Sequence, residues 1–300
     1  MLAPSSPLSP ANRATLIGVA CGTGAALLWA VGFVAARHGI SAGFAPSDIV
    51  LHRFIWAGLA FLPFLAMDTG LRLRAIGLGK SIVLTIVGGP PFATLSYAGF
   101  LFVPLAHGGV IQPSSAAIGG LILARVVLGE KLPAQRILGA GIIIAGLIVI
   151  GWEAVTSIGA HGAIGDLCFV SAGLLFATFA TLLRRWDIAP LRAVAITSVV
   201  SLIDIPVHWL AFGFERMIAL GVMENLIQVA AQGLSAGAGA TYLFTRSVLL
   251  LGASRAAVFA SLVPGFTLLV GFLLIAELPT VMQLIGFAIV LIGFRWAQKG

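Results

Sequence analysis

Residues 128–152, LGEKLPAQRILGAGIIIAGLIVIGW, decide the fold because a glutamate and a proline separate two long apolar runs. A related stretch, IAELPTVMQLIGFAIVLIGFRW, begins at Ile275. Glu130 and Glu277 hold equivalent positions in the two stretches, 147 residues apart. The chain contains only five glutamates, so this coincidence indicates an internal duplication.

The composition is that of an integral membrane protein. Of the 300 residues, 60% are hydrophobic and 9% are charged, and the mean hydropathy is +1.11. A soluble domain carries about 25% charged residues. The apolar runs are continuous rather than alternating, which excludes a membrane β-barrel and predicts an all-α fold.

Ten apolar stretches approach the length of about 20 residues that a spanning helix needs. The sequence therefore predicts ten transmembrane helices. They cover residues 15–37, 46–66, 81–102, 106–126, 136–153, 162–184, 190–212, 225–247, 253–275 and 279–296.

The placement of the basic residues predicts the orientation. With the N-terminus inside, fourteen of the 17 lysines and arginines fall on the cytoplasmic side, and only Arg37 and Arg216 fall outside. Both termini are therefore expected in the cytoplasm, with residues 1–14 as a disordered tail. The net charge of +7 reflects this orientation and not a nucleic-acid partner.

The duplication predicts two repeats, residues 15–153 and 162–299, with five helices each. The same offset places Arg37 on Arg184 and Ser114 on Ser261. Because five is odd, the second repeat enters the membrane from the opposite side. Inverted repeats are common in secondary transporters, which hold their substrate near the midplane between the halves. Duplication is also found in some channels and membrane enzymes.

Several motifs resemble the drug/metabolite transporter superfamily, in particular its EamA-type members. They are LLWAVGFVAAR at 27–37, Arg53 within LHRFIWAGLAFLP, and the small-residue-rich fourth and ninth helices in 106–132 and 253–278, each with a proline and a glutamate near its end. The sequence looks most like the YddG-type aromatic amino acid exporters. This resemblance implies a multi-pass inner-membrane protein that exports small organic metabolites, amino acids first. The alternatives are efflux of drugs or other metabolites, and, in a different class, a non-transporting scaffold or an intramembrane enzyme.

Residues that break helices are the predicted gating positions. Proline inside a spanning helix removes one hydrogen bond and is tolerated where a cavity or a neighbour satisfies the backbone. Ordinary kinking for packing is the alternative for any single proline. At the repeat offset, Pro264 aligns with Ala117, whereas Pro113 lies four residues earlier. The proline of the fourth helix is therefore displaced by about one turn from its counterpart in the ninth. The candidate positions are Pro90, Pro91, Pro113, Gly237 and Pro264.

Polar and aromatic side chains near these breaks are the predicted lining of a substrate site in helices one, three, four, six, eight and nine. The aromatic residues alternatively face lipid or the core, and serine and threonine alternatively bond within their own helices. The candidates are Trp29, Phe33, Ser96, Tyr97, Gln112, Ser114, Ser115, Phe176, Thr241, Tyr242 and Ser261.

Charged residues within or beside the spans are predicted to be structural. Arg53 and Asp204 share a depth from the outer side and are expected to neutralise each other. Glu130 and Glu277 end their helices and are expected to cap them or to pair with a loop group, such as Lys131 for Glu130. His52 and His208 are expected to be satisfied core or interface histidines.

The sequence indicates neither an enzyme nor a resident cofactor or metal. HExxH and phosphate-cradling glycine motifs are missing from the sequence, and no channel filter is evident. The expected partners are a small-molecule substrate and the lipid bilayer. The glycine-rich last helix of each repeat is expected to seal that repeat internally, rather than to form a dimer interface, in a monomer or weak homodimer.

Overall fold

The computed structural model describes residues 10–67, 72–153, 156, 160–251 and 258–297. Every regular element in these ranges is helical, which agrees with the predicted fold class. The α-helices are α1 (Pro10–Ala42), α2 (Pro46–Ala66), α3 (Leu78–Gly88), α4 (Pro90–Ala98), α5 (Leu105–Val127), α6 (Ala134–Glu153), α7 (Ala160–Trp186), α8 (Pro190–Val200), α9 (Asp204–Phe212), α10 (Glu215–Ala219), α11 (Gly221–Gln228), α12 (Ala240–Leu251), α13 (Val263–Ile275) and α14 (Val281–Ala297).

Seven helical segments are long and apolar enough to cross a membrane, and they lie at predicted spans one to four and six to eight. Three shorter apolar helices, Ala134–Ile150, Val263–Ile275 and Val281–Trp296, lie at the fifth, ninth and tenth positions. The protein is thus a multi-pass membrane protein. The count of ten spans stays a prediction.

Helix α1 begins at Pro10, inside the stretch expected to be a disordered tail. Proline suits the first turn of a helix because its missing N–H would have no partner there. Asn12 and Arg13 are exposed, so the polar start of α1 precedes its apolar part. Residues 1–9 of the tail lie outside the described residues.

Three of the predicted spans are interrupted. Helices α3 and α4 meet at Gly89, directly before Pro90 and Pro91. A 3-10 turn, Ser201–Ile203, joins α8 to α9, and a π-helix, Val229–Gly239, joins α11 to α12. A π-helix of 11 residues is unusual, because π-helices mostly occur as single turns, frequently at functional sites.

Two prolines sit differently from expectation. Helix α5 continues through Pro113, so the break expected there is not found. Pro264 is the second residue of α13 and follows a 3-10 turn, Val258–Leu262. In the first turn of a helix proline costs no hydrogen bond, so Pro264 marks a change of helix type rather than a kink.

The helices of the two predicted repeats pack against each other in matching ways. Helix α1 packs against α12 and α13, and its counterpart α7 packs against α4 and α5. Subtracting the 147-residue offset places α7 on α1, α12 on the region of α4 and α13 on the end of α5, so the two arrangements are equivalent. Helix α2 packs against α8, and α6 packs along α14.

Glycines allow α6 and α14 to approach at backbone distance. A Cβ added at Gly146 would lie 2.7 Å from the carbonyl oxygen of Gly286, and one added at Gly293 would lie 2.8 Å from that of Gly139. Small residues let helices approach closely in membranes. The last helices of the two repeats therefore pack on each other, instead of sealing each repeat internally as expected.

The α6–α14 contact predicts a difference between two glycines of α6. Gly146→Ala should lower the apparent melting temperature of the detergent-solubilised protein, because the new methyl group meets the backbone of α14, and overpacking typically costs about 1–3 kcal/mol. Gly141→Ala is the matched control, since a Cβ at Gly141 meets nothing within 4 Å. Equal melting temperatures for the two variants would contradict the close contact.

Candidate functional site

A chain of buried hydrogen bonds joins four of the helical segments. Arg53 on α2 donates from Nη1 to the hydroxyl of Tyr97 on α4 at 3.1 Å. Tyr97 donates to Oε1 of Gln232 in the π-helix at 2.8 Å. Gln232 donates from Nε2 to the carbonyl of Gly32 on α1, also at 2.8 Å. We call these four residues the central network. Three belong to the first predicted repeat and Gln232 to the second.

Glycines also position the central network. A Cβ added at Gly32 would lie 2.6 Å from Cβ of Ala236, and one added at Gly233 would lie 2.6 Å from Cβ of Trp56. The π-helix therefore lies close to both α1 and α2. From this position the fully buried side chain of Gln232 reaches Gly32 on α1 and Tyr97 on α4.

Arg53 has no acidic partner in the described part of the chain. It follows Pro46, the first residue of α2, by seven residues, which is about 10 Å along the helix. The sequence predicted that Arg53 pairs with Asp204, but the structure does not contain this pair. Asp204 is half-buried at the start of α9, and Arg53 instead donates to the neutral hydroxyl of Tyr97. A cation at membrane depth is costly without a counter-charge.

His52 is a satisfied buried histidine, as expected. Trp56 donates from Nε1 to His52 Nδ1 at 3.1 Å, and His52 Nε2 lies 3.0 Å from Oδ1 of Asn225. Because the indole nitrogen can only donate, Nδ1 accepts and the proton of the neutral ring is on Nε2. The Asn225 amide in turn donates to the carbonyls of Met217 and Gly221. This set holds α11 against α2.

Two further contacts hold α11 against the end of α1. Gln228 donates from Nε2 to the carbonyl of Ala35 at 2.9 Å. His38 Nε2 lies 2.9 Å from Oε2 of Glu224, and both side chains are half-exposed. The C-terminal end of α1 is therefore closed against the second repeat by polar contacts.

Helix α5 carries buried polar atoms that have no protein partner. Oε1 of Gln112 and Oγ of Ser114 are both buried without a hydrogen bond. Ser115 is buried beside Gly173 of α7. Buried polar atoms are normally satisfied, and exceptions point to a bound water, an ion or a functional role. Gln112 and Ser114 are therefore the best-placed of the predicted α5 residues to contact a solute.

Three of the five predicted aromatic lining residues, Trp29, Phe33 and Phe176, each pack on another ring. Phe176 is 41% exposed, whereas Trp29 and Phe33 are half-buried. Their partners and ring-centroid distances are Phe244 for Trp29 at 5.4 Å, Phe100 for Phe33 at 6.2 Å, and Phe92 for Phe176 at 5.8 Å. Each of the three therefore has an aromatic packing partner within the protein.

The other predicted lining residues are spread over several places. Ser96 and Thr241 donate to carbonyls four residues earlier in their own chain segments, Phe92 and Gly237. Bonding to the backbone of their own helical segment was the alternative to a role in lining the substrate site. The side chain of Ser261 lies outside the described residues.

Tyr242 is 53% exposed and lies away from the central network. It borders an open apolar groove of about 480 Å³ between α2, α8 and the α11–α12 segment. The other lining residues include Phe61, Phe64, Leu191 and Leu234. The groove therefore contributes hydrophobic surface rather than polar recognition.

An ion pair connects the two predicted repeats at one end of α5. Arg37 donates from Nε to Oε2 of Glu277 at 3.1 Å and from Nη1 to the carbonyl of Phe100 at 2.9 Å. Oε1 of Glu277 accepts the N–H of Leu105, the first residue of α5, at 2.6 Å. Glu277 thus caps α5 and pairs across the repeats at the same time.

The equivalent ion pair lies at the other end of α5. Arg184 donates to Glu130, three residues after α5 ends. The repeat offset converts Arg37 into Arg184 and Glu277 into Glu130. The partner of Glu130 is therefore an arginine of the other repeat, and not Lys131 as expected.

Several site residues escaped prediction although the sequence contained a signal for them. Gln228 and Gln232 are amides within a long apolar stretch, where an unsatisfied polar group is costly and hence informative. Asp48 was also missed. It is buried, accepts from the Ala45 N–H at 2.8 Å and pairs with Arg216 at 3.2 Å. In the described residues no three metal-ligating side chains come together.

Comparisons with known proteins agree with this architecture. The EamA-like transporter family model matches residues 16–152 and again residues 163–297. The "Uncharacterized transporter YyaM" of Bacillus subtilis (strain 168) is 26% identical over 271 residues, which cover 85% of each chain. A solved crystal structure is similar with a TM-score of 0.63 over 95% of this chain and 96% of the other, at 19% identity.

The structural likeness supports the fold alone, because its sequence identity is low. The two family matches are stronger, since together they span most of the chain. The protein is therefore a member of the EamA-like transporter family.

Proposed function

We propose that this transporter exports neutral amino acids, aromatic ones first, across the inner membrane by alternating access. The observation that carries the proposal is Arg53, a cation at membrane depth with a neutral partner, in a network built from both predicted repeats. An amino acid offers the α-carboxylate that Arg53 lacks. Family membership supports transport, and the resemblance to aromatic exporters supports the substrate class.

The chemistry of Arg53 favours a carboxylate. A guanidinium binds a carboxylate through two parallel hydrogen bonds, and such charge-assisted bonds are roughly twice as strong as neutral ones. The Tyr97 hydroxyl occupies one of the five N–H donors of Arg53 in this structure. A bound carboxylate would therefore neutralise a charge that the protein itself leaves uncompensated.

The surroundings of the central network favour an apolar side chain on the solute. Trp29 and Phe33 flank Gly32 on α1, within one turn. An aromatic body can pack on such rings, whereas a strongly cationic drug would be repelled by Arg53. The proposal therefore places neutral amino acids ahead of cationic drugs.

Two features support inverted repeats and alternating access. The family model matches the chain twice, and the two equivalent ion pairs, Arg37–Glu277 and Arg184–Glu130, lie at opposite ends of α5. Each pair joins a helix end of one repeat to the other repeat. If one ion pair opened while the other stayed closed, the interface between the two repeats would be exposed to one side of the membrane at a time.

Flux from reconstituted vesicles tests the function. Proteoliposomes loaded with radiolabelled phenylalanine should release it faster than protein-free liposomes, and excess unlabelled phenylalanine outside should accelerate the exchange. Indistinguishable release from the two preparations, for phenylalanine and for a panel of the other neutral amino acids, would refute the proposed substrate class. Flux of a drug instead would support the efflux alternative.

Replacing Arg53 should remove recognition of the carboxylate. Arg53→Gln should lower phenylalanine exchange at a limiting concentration by about tenfold or more, because hydrogen bonds to charged groups contribute about 1.5–3 kcal/mol. The exposed Arg125→Gln is the matched control and should exchange at the wild-type rate. Competition by 2-phenylethylamine, which lacks the carboxylate, should be weak in the wild type. If this amine competes as well as phenylalanine, Arg53 does not read a carboxylate.

Single cysteines test the inverted arrangement. Lys131 and Leu278 are exposed, lie 147 residues apart and follow the two equivalent glutamates. After Cys21 and Cys168 are replaced by serine, an impermeant maleimide should label Leu278→Cys in intact cells and Lys131→Cys only after permeabilisation. Labelling of both cysteines from the same side would exclude inverted repeats.

A further inference from the structure

A second buried polar pair lies between the predicted repeats, apart from the central network. Nδ1 of His107, near the start of α5, lies 2.9 Å from Oδ1 of Asp166 on α7. The His107 side chain is fully buried and that of Asp166 is 13% exposed. Neither the carboxylate-binding role of Arg53 nor the two cross-repeat ion pairs uses these residues.

Each member of this pair has one buried atom without a hydrogen bond. These atoms are Nε2 of His107 and Oδ2 of Asp166. When the neutral imidazole donates its Nδ1–H to Asp166, Nε2 keeps a free lone pair, and Oδ2 keeps one as well. Both positions can accept a proton, and a buried polar atom without a partner calls for a functional explanation.

The start of α5, which carries His107, packs against buried aromatic rings. A Cβ added at Gly108, beside His107, would lie 2.6–2.7 Å from atoms of Phe100 and Phe169, and both of these rings are fully buried. Such an apolar shell gives little screening, so the net charge of the pair strongly affects the free energy of enclosing it.

One proton changes that net charge from −1 to zero. With neutral His107 and ionised Asp166, the enclosed pair carries one uncompensated negative charge. Uptake of a proton from solution gives an imidazolium–carboxylate pair of zero net charge. Enclosure of the pair is therefore easier with the proton than without it. By linkage, acid favours the enclosed state, and this preference is lost as the pH rises.

Several other charged and titratable groups lie on the helices around the pair. Arg37 and Glu277 neutralise each other and contact the Phe100 carbonyl and the Leu105 N–H, next to His107. On α7, His161 is exposed and Cys168 is half-buried. On α1, the only other titratable neighbour is His38, which pairs with Glu224.

We propose that His107 and Asp166 form a proton-binding site whose occupancy keeps this side of the transporter closed. In the predicted orientation this is the outer side, at the junction where α5, α7 and the Arg37–Glu277 pair meet. A proton from the outside stabilises the enclosed state, and its loss favours opening. The proton site stands on the geometry alone, whereas its effect on opening rests on the proposed alternating access.

Histidine NMR tests proton binding without reference to any solute. The chain has only five histidines, so selective ¹⁵N-histidine labelling of the reconstituted protein and comparison with His107→Gln identify the His107 signal. We expect His107 to pass from a neutral to a doubly protonated ring between pH 8 and 5 in the wild type. A single protonation form across this range would overturn the proposal, whether or not phenylalanine is transported.

A buried cysteine tests the effect on opening. Ile111 is buried one turn below His107 on α5, so Ile111→Cys in the background without Cys21 and Cys168 should react with an impermeant thiol reagent only after opening. The rate, normalised to that of the exposed Leu278→Cys, corrects for the pH dependence of the thiol itself. The normalised rate should fall about tenfold from pH 8 to 5, the change given by a one-unit difference in proton affinity between the states.

Three variants separate this site from its neighbours. Asp166→Asn removes the negative charge that the proton compensates, so the normalised labelling should no longer fall as the pH is lowered. It should stay constant or rise, because a protonated His107 would then be the uncompensated charge. His161→Gln and His38→Gln are matched controls and should keep the full pH dependence. If the normalised labelling of Asp166→Asn still falls with acid, or if that of His38→Gln no longer does, the effect belongs to another group.

Discussion

Lipid supplies no hydrogen bonds, so each polar group that this chain carries into the membrane must find its partner within the protein. The consequence is visible at the seam between the predicted repeats. Most of the buried polar side chains that cross between helices do so here, including Gln228, Gln232 and His107. The outer surfaces are left to aliphatic and aromatic residues. A seam built from hydrogen bonds can be exchanged for water when it opens, which an apolar seam could not do as readily.

The sequence predicted two repeats because glutamate is rare in this chain. Glu130 and Glu277 revealed the offset, and the same offset aligned Arg37 with Arg184. The pairing of these glutamates with these arginines was not predicted, because Lys131, next to Glu130 in the sequence, seemed its natural partner. The actual partners are far apart along the chain and meet only through the packing of the two repeats. Composition and rare residues therefore predicted the elements, while contacts between them required the structure.

The candidate site was predicted only in part for a similar reason. Tyr97 was singled out and does lie in the central network, but Gln232 was missed and Tyr242 lies in a lateral groove. The sequence marked the eighth span as loose because of its glycines. It did not reveal that the backbone there forms a π-helix, which changes the direction in which every following side chain points. A one-residue change of helical register is enough to exchange a central position for a peripheral one.

The mutual packing of α6 and α14 has a consequence for biosynthesis. Helix α6 ends at Glu153 and its partner begins at Val281, so the ribosome must add residues 154–280 and then α14 itself before the two can meet. At about 5–20 residues per second, this interval lasts on the order of ten seconds. During that time the glycine-lined face of α6 is available to lipids, to insertion factors or to the wrong helix. Correct assembly of this protein therefore depends on a delay that translation speed sets.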